Sequence, residues 1–401
     1  MALRSLAVGY AAVSLLALAP ARAQWTVTSL HPSGSPTIGG TSSFTFGSSG
    51  PQQAGYTWLG ELVNPRACLW NSTAGSWADL NPIEAEWSRA WATSGLTQVG
   101  EAYFGPEEGN RAIIWAGSAV SWVDLNPSGA DGSVAYGVSG TNQVGYADFG
   151  ESRRAALWTG TASSWIDLTP PNAESAVAYA TSGAQQVGEV VIGGVSHAAL
   201  WSGDAATWID LHPAAPGNSV ATDTSGTHQV GYIGAHAALW SGSAASWVDL
   251  HPSGAITSEA WDVFGDYQVG NVNIDGAVRA SLWTGAAGSW EDLSLALTGS
   301  WPFSYAYGVW SDGVRVLVAG YGFNSVAGRW EALLWERPVQ AGPCPADWDG
   351  SGGQPNSSDF LAYLNDFAAQ APAADLSPPE GDAAWNSSDF LAYLNLYAQG
   401  C

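Results

Sequence analysis

One dipeptide constrains the fold more than any other feature: Leu-Trp, or Ile-Trp, recurs at Trp70, Trp115, Trp158, Trp201, Trp240, Trp283 and Trp335. Self-similarity at about 43 residues marks a repeat architecture, in which each unit buries its apolar face against its neighbours. Two further phrases keep step with it. Trp-x-Asp-Leu follows about seven residues later at Trp77, Trp122, Trp165, Trp208, Trp247 and Trp290, mostly ahead of Asn-Pro, His-Pro or Thr-Pro. Gln-Val-Gly stands at Gln98, Gln143, Gln186, Gln229 and Gln268, after a segment of small residues. Each unit thus offers four short apolar runs broken by Gly, Ser, Asn or Pro, the strand count and spacing of a β-propeller blade.

The seventh unit ends at Trp335-Glu336-Arg337-Pro338 without a Trp-x-Asp-Leu strand, whereas Trp25-Thr26-Val27-Thr28-Ser29-Leu30-His31-Pro32 looks like the missing one. The sequence therefore predicts an all-β seven-bladed β-propeller over residues 24–340, its last blade completed by the N-terminal strand. Such closure removes the exposed sheet edges of an open array.

Residues 1–23 read as a secretory signal peptide: Arg4, an apolar run from Ala7 to Ala19, then Ala21-Arg22-Ala23 as the cleavage pattern, so that the mature chain begins at Gln24. No later apolar run is long enough to span a membrane. All 11 basic residues are Arg, against 35 acidic ones, and the net charge of −24 opposes binding to nucleic acid or anionic lipid. Cys68 stands where other repeats have Ala199 or Ala238 and reads as a buried small residue. Cys344 and Cys401 bracket the last 58 residues and, in an oxidising compartment, form a disulfide that staples a small module.

That module, residues 341–401, repeats itself once: Asn356-Ser357-Ser358-Asp359-Phe360-Leu361-Ala362-Tyr363-Leu364-Asn365 returns as Asn386 to Asn395. Each copy predicts a capped helix with Phe, Leu, Tyr and Leu on one face. Ahead of the first stands Asp347-Trp348-Asp349-Gly350-Ser351-Gly352, with oxygen ligands on alternate residues and Gly in sixth place, as a calcium loop requires. The candidate calcium ligands are Asp347, Asp349, Ser351 and Asp359, with a degenerate second set of Asp375, Ser377, Asp382 and Asp389. The other reading is a disulfide-closed helix pair whose acids are solvated.

Recurring polar residues invite structural roles. Asp79, Asp124, Asp167, Asp210, Asp249 and Asp292 end a strand before a turn and are expected to accept turn amides. His31, His212 and His251 share one repeat position and His197 and His236 another, a blade apart, so they do not converge on one metal. The two repeated Trp positions fill the space between blades. Aromatics that do not follow these phrases, Trp87, Trp91, Trp261, Trp301 and Trp310, with Tyr305, are the candidates for a ligand surface. No nucleophile elbow, H-E-x-x-H or phosphate loop is present. Among Glu84, Glu86, Glu101, Glu107, Glu108, Glu189 and Glu259 no pair stands out as a glycosidase couple.

In the succession of Val138 to Gly145, then His197-Ala198-Ala199-Leu200-Trp201 or His236-Ala237-Ala238-Leu239-Trp240, then Trp-x-Asp-Leu, the chain resembles the bacterial extracellular HAF repeats. Arg66, Arg111, Arg154 and Arg279 replace the His that family favours, and Ala replaces its Phe. The tail resembles a dockerin-type duplicated calcium module and the Cys-bounded C-terminal domains of planctomycete secreted proteins. Against that pattern the span from Asp347 to Asp359 is one residue too long and that from Asp375 to Asp389 three too long. Together these imply a secreted or extracytoplasmic bacterial protein without catalytic residues, binding an extracellular glycan or protein through its propeller and docking through its tail. The alternatives are a polysaccharide-active propeller enzyme and a structural cell-surface protein.

Overall fold

The computed structural model describes residues 25–32, 40–59, 64–214, 217–339, 346–348, 356–377 and 384–399. The expected signal peptide, Cys344, Asp349, Ser351, Asp382 and Cys401 lie outside the described residues. Contacts divide the chain into two compact units, one of them Gln24–Pro338 and the other containing the described residues from Val339 onward.

The first unit is a seven-bladed β-propeller. It contains seven four-stranded antiparallel sheets; six are simple meanders in chain order, and in the seventh Thr26–Ser29 pairs with Arg329–Pro338. Val27 stands opposite Trp335 and Ser29 opposite Leu333, so the N-terminal strand takes the outermost place of blade 7, as its sequence suggested. The innermost strands are Gly40–Ser49, Trp87–Ser94, Gly132–Ser139, Ser175–Thr181, Ser219–Thr224, Thr257–Phe264 and Ser304–Ser311. Each touches the next around the axis, and the first touches the last.

The Leu-Trp residues occupy the place that their period predicts. Trp70, Trp115, Trp158, Trp201, Trp240, Trp283 and Trp335 are all buried, each on the third strand of its blade. Trp201 of blade 4 packs with Val144, Leu157 and Leu168 of blade 3, and Trp283 of blade 6 packs with Val230, Leu239 and Leu250 of blade 5. Burying such a ring removes about 200 Å² from water, roughly 5 kcal/mol before ordering entropy is subtracted.

Polar side chains tie consecutive blades together as regularly as the rings do. Ser88 Oγ donates to Asn81 Oδ1 and accepts the Ala67 amide; Ser133 does the same with Asn126 and Ala112. His212 and His251 use Nδ1 for this contact with Ser219 and Ser258, both at 2.8 Å. His31 meets Ser43 in the same way, and Ser43 accepts the Ala332 amide, so blade 7 is latched to blade 1 by the device used elsewhere in the ring. The shared His position is thus a blade-to-blade contact.

In the second unit, helix α1 (Ser357–Ala368) and helix α2 (Ser387–Gln399) are the two copies of the duplicated phrase. They pack through the same residue of each: Tyr363 and Tyr393 stack at 3.9 Å, and Trp348 stands edge-on to both. No helix among the described residues is long and apolar enough to cross a membrane.

Candidate functional site

The site grows from one irregularity repeated seven times. Every innermost strand carries a β-bulge at the same place, and the residue at the bulge is Phe46, Trp91, Tyr136, Tyr179, Thr222, Trp261 or Tyr307. A bulge inserts a residue without a ladder partner and re-aims its side chain. The glycine of Gln-Val-Gly makes this possible: it lies inside the second strand rather than in a turn, and a Cβ on Gly100 or Gly145 would overlap the carbonyl oxygen of Arg89 or Val134. Only glycine lets the two strands approach so closely there.

The bulge aromatics form a nearly continuous ring. Centroid separations are 4.9 Å from Phe46 to Trp91, 6.0 Å on to Tyr136 and 5.4 Å on to Tyr179; on the other side Trp261 lies 5.2 Å from Tyr307, which lies 5.1 Å from Phe46. Above it a cavity of about 860 Å³ opens at the C-terminal ends of the innermost strands, with a rim of hydroxyls that includes Ser48, Thr93, Ser139, Thr181 and Ser225. That volume is within the range of small-molecule sites.

Two carboxyls stand in the wall. At the position just past the bulge five blades have Gly or Ala, but blades 5 and 6 have Asp223 and Asp262. Asp223 accepts the Val263 amide at 2.9 Å and Asp262 the Val309 amide at 2.7 Å, so each reaches across to the next blade. Burial pushes both above the usual carboxylate range, and the neighbouring charge of Asp223 pushes Asp262 further. A like charge nearby disfavours the ionised form of its neighbour.

On the other side of the ring lie Glu101, Glu189 and Glu259. Burial raises Glu101, which accepts Asn110 Nδ2 at 2.6 Å and pairs with Arg89 at 3.5 Å. Glu259 is raised by burial as well, and Tyr179 donates to Glu189 at 2.9 Å. Tyr232, at 6.4 Å from Trp261, is pushed up to about 12 by burial and by the charges of Glu189 and Glu259.

No family model matches the chain. No curated protein is significantly similar to it either. Among solved structures it is similar to an S511A mutant of puromycin hydrolase in complex with PGG, at 12% identity and a TM-score of 0.47, over 77% of this chain and 56% of that one. It is also similar to a prolyl endopeptidase, at 10% identity and a TM-score of 0.49, over 76% of this chain and 51% of that one. A third is the β-propeller domain of the Trilobed protease from Pyrococcus furiosus, at 10% identity and a TM-score of 0.47, over 75% of this chain and 97% of that domain. The chain spans about half the length of the first two, and the likeness concerns the fold alone.

Of the aromatics that the sequence singled out, the structure gathers Trp91, Trp261 and Trp310 in the cavity wall. Trp87 begins the innermost strand of blade 2 and stacks on Tyr103, and Trp301 donates to the Thr298 carbonyl; neither lines the cavity. None of the seven glutamates considered as a glycosidase pair is in the lining. The signal for Asp223 and Asp262 in the sequence is that they are acids at a repeat position held elsewhere by Gly or Ala.

The repeated Asp residues do accept turn amides, as in Asp79 with Asn81 and Asp210 with His212. Their second oxygen meets the Arg or His on the third strand of the blade, from Arg66–Asp79 at 2.6 Å to His236–Asp249 at 3.0 Å. In the tail, Asp359 is buried and accepts the Asn356 amide. Asp389 accepts the amides of Leu376 and Ser377 on one oxygen and that of Asn386 on the other. With three amides on it, this carboxylate has little left for a metal. Asp347 lies beside Trp348, whose Nε1 donates to Asp366, and Asp375 and Ser377 lead from a short 3-10 turn (Pro372–Ala374). Among the described residues no three His, Cys, Asp or Glu side chains form a metal-holding group.

Proposed function

We propose that the protein is an exported HAF-type propeller that binds a glycan in its channel mouth without turning it over, and that its dockerin-like tail attaches it to another extracellular protein. One observation supports the glycan reading above the rest. Six of seven bulge positions carry aromatic faces, and these meet a rim of Ser and Thr hydroxyls around a cavity of suitable size. Sugars present C–H faces that stack on aromatic rings and hydroxyls that exchange hydrogen bonds with such a rim. The Ala21-Arg22-Ala23 pattern supports export. Calcium in the tail would belong to the first loop, with Asp347, Asp349, Ser351 and Asp359, because its sequence keeps the alternate oxygen ligands and sixth-place Gly that the second loop has lost.

The carboxyl pair in the wall argues against glycoside hydrolysis. Asp223 and Asp262 are each turned onto a backbone amide of the next blade, those of Val263 and Val309, whereas a glycosidase couple flanks the scissile bond. Isothermal titration of the full chain against a panel of neutral oligosaccharides tests the reading. Saturable binding is expected, weakened about tenfold by Trp91→Ala or Trp261→Ala, the scale of a lost aromatic anchor. Binding that neither substitution affects, or release of new reducing ends by the wild type, would remove it.

A further inference from the structure

The aromatic ring has one gap, and the gap is acidic. Blade 5 has Thr222 at its bulge, and that hydroxyl bonds to the carbonyls of Val230 and Ala260. Beside the gap stand Asp223 and Asp262. Held by the amides of Val263 and Val309, the pair sets acidic groups in a half-buried wall. No Arg or His is among the lining residues. Arg89, with its guanidinium 6.0 Å from the Trp91 ring, is engaged by Glu101 on the other side of the ring.

A neutral sugar would satisfy the rings and the hydroxyls but leave these acids without a counter-ion. An ammonium satisfies all three: aromatic faces attract a cation through their quadrupole, and a partly desolvated carboxylate forms a strong charge-assisted hydrogen bond with it. We infer that the glycan taken by this mouth carries a free amine, an amino sugar whose ammonium sits at the Thr222 gap facing Asp223 and Asp262. The inference rests on the glycan reading above and names the substrate class within it.

The test compares two probes of equal length, a glucosamine oligomer and its N-acetylated counterpart, titrated calorimetrically into the full-length protein near neutral pH. The amine form is expected to bind at least about tenfold tighter, and that preference is expected to shrink as salt is added. The double variant Asp223→Asn with Asp262→Asn, checked for an unchanged far-ultraviolet spectrum, is expected to abolish the preference. Equal or tighter binding of the N-acetylated oligomer to the wild type, whose folding is not in question, would overturn the inference and leave glycan binding standing. Binding of neither sugar would overturn both. Binding of a lysine-rich peptide in place of either sugar would assign the acidic gap to a protein ligand and likewise overturn it.

Discussion

At the scale of single residues, the repeat phrases divide by physical role, and substitutions should separate them. The glycine of Gln-Val-Gly is demanded by close approach: a Cβ on Gly145 meets the Val134 carbonyl in the middle of a sheet. Gly145→Ala should destabilise the propeller by about 2 kcal/mol or more, as overpacking at a site that cannot yield does, read as a lower urea midpoint. Gly140 has φ +57° in a hairpin turn with open space around it. There Gly140→Asn should cost under about 1 kcal/mol, since Asn tolerates that conformation; equal losses at the two positions would refute the distinction. The repeated Asp is the second case. Asp79 accepts both a turn amide and Arg66, whereas Arg66 adds only a half-exposed ion pair to the same carboxylate. Asp79→Ala should therefore cost about 1–2 kcal/mol and Arg66→Ala under about 1, and the reverse order in thermal melts would mean that the ion pair, not the turn, holds the outer strand. The turn role of these acids was legible because they stand before a turn. Their Arg and His partners were not, because 13 residues separate them and only the strand register, with Asp79 opposite Cys68, brings them together diagonally.

At the scale of elements, ring closure rests on four N-terminal residues in a strand and on what flanks them. Trp25 is 7% exposed, donates Nε1 to Glu291 at 2.7 Å and lies under Arg337, whose guanidinium is 4.4 Å from the ring and in turn pairs with Glu291 at 2.6 Å. Losing such a buried indole costs about 3 kcal/mol, so Trp25→Ala should lower the unfolding midpoint clearly while leaving a closed ring. A chain beginning at residue 33 would instead expose the edge of Arg329–Pro338 and should self-associate; a strictly monomeric, equally stable truncation in light scattering would show that the strand is dispensable. Blade number and closing strand could be read directly, because both follow from a period and from one phrase displaced to the other end of the chain. The inner wall could not. Its seven bulge positions hold Phe, Trp, Tyr, Tyr, Thr, Trp and Tyr, a conserved geometry hidden under changing residue types. That is why Trp87 and Trp91, four residues apart, looked alike in the sequence although only Trp91 reaches the cavity.

At the scale of the whole molecule, the acidic residues couple stability to pH in opposite directions in the two units. In the propeller Glu101, Asp223, Glu259 and Asp262 are all held above the ordinary carboxylate range, chiefly by burial, against the exposed Asp312, which the amides of Arg315 and Val314 hold below it. A carboxyl raised in the folded state binds more protons there than in the unfolded chain. Folding is therefore weakened as pH rises from the unfolded value, about 4, through the raised one, and is relieved on return. In the tail Asp389 is held below its ordinary value by the amides of Asn386, Ser377 and Leu376. Its contribution is complete above about pH 4 and is lost as pH falls through the lowered folded value. Scanning calorimetry from neutral to acid pH should thus show the propeller transition rising as pH approaches the carboxylate range, helped by relief of a net charge of −24. The tail transition should fall only below that range, and Asp389→Asn should remove the fall by lowering the tail's melting point beforehand. A propeller transition that falls steadily from neutral pH downward would mean that the surface ion pairs, rather than the buried acids of the channel, set its response.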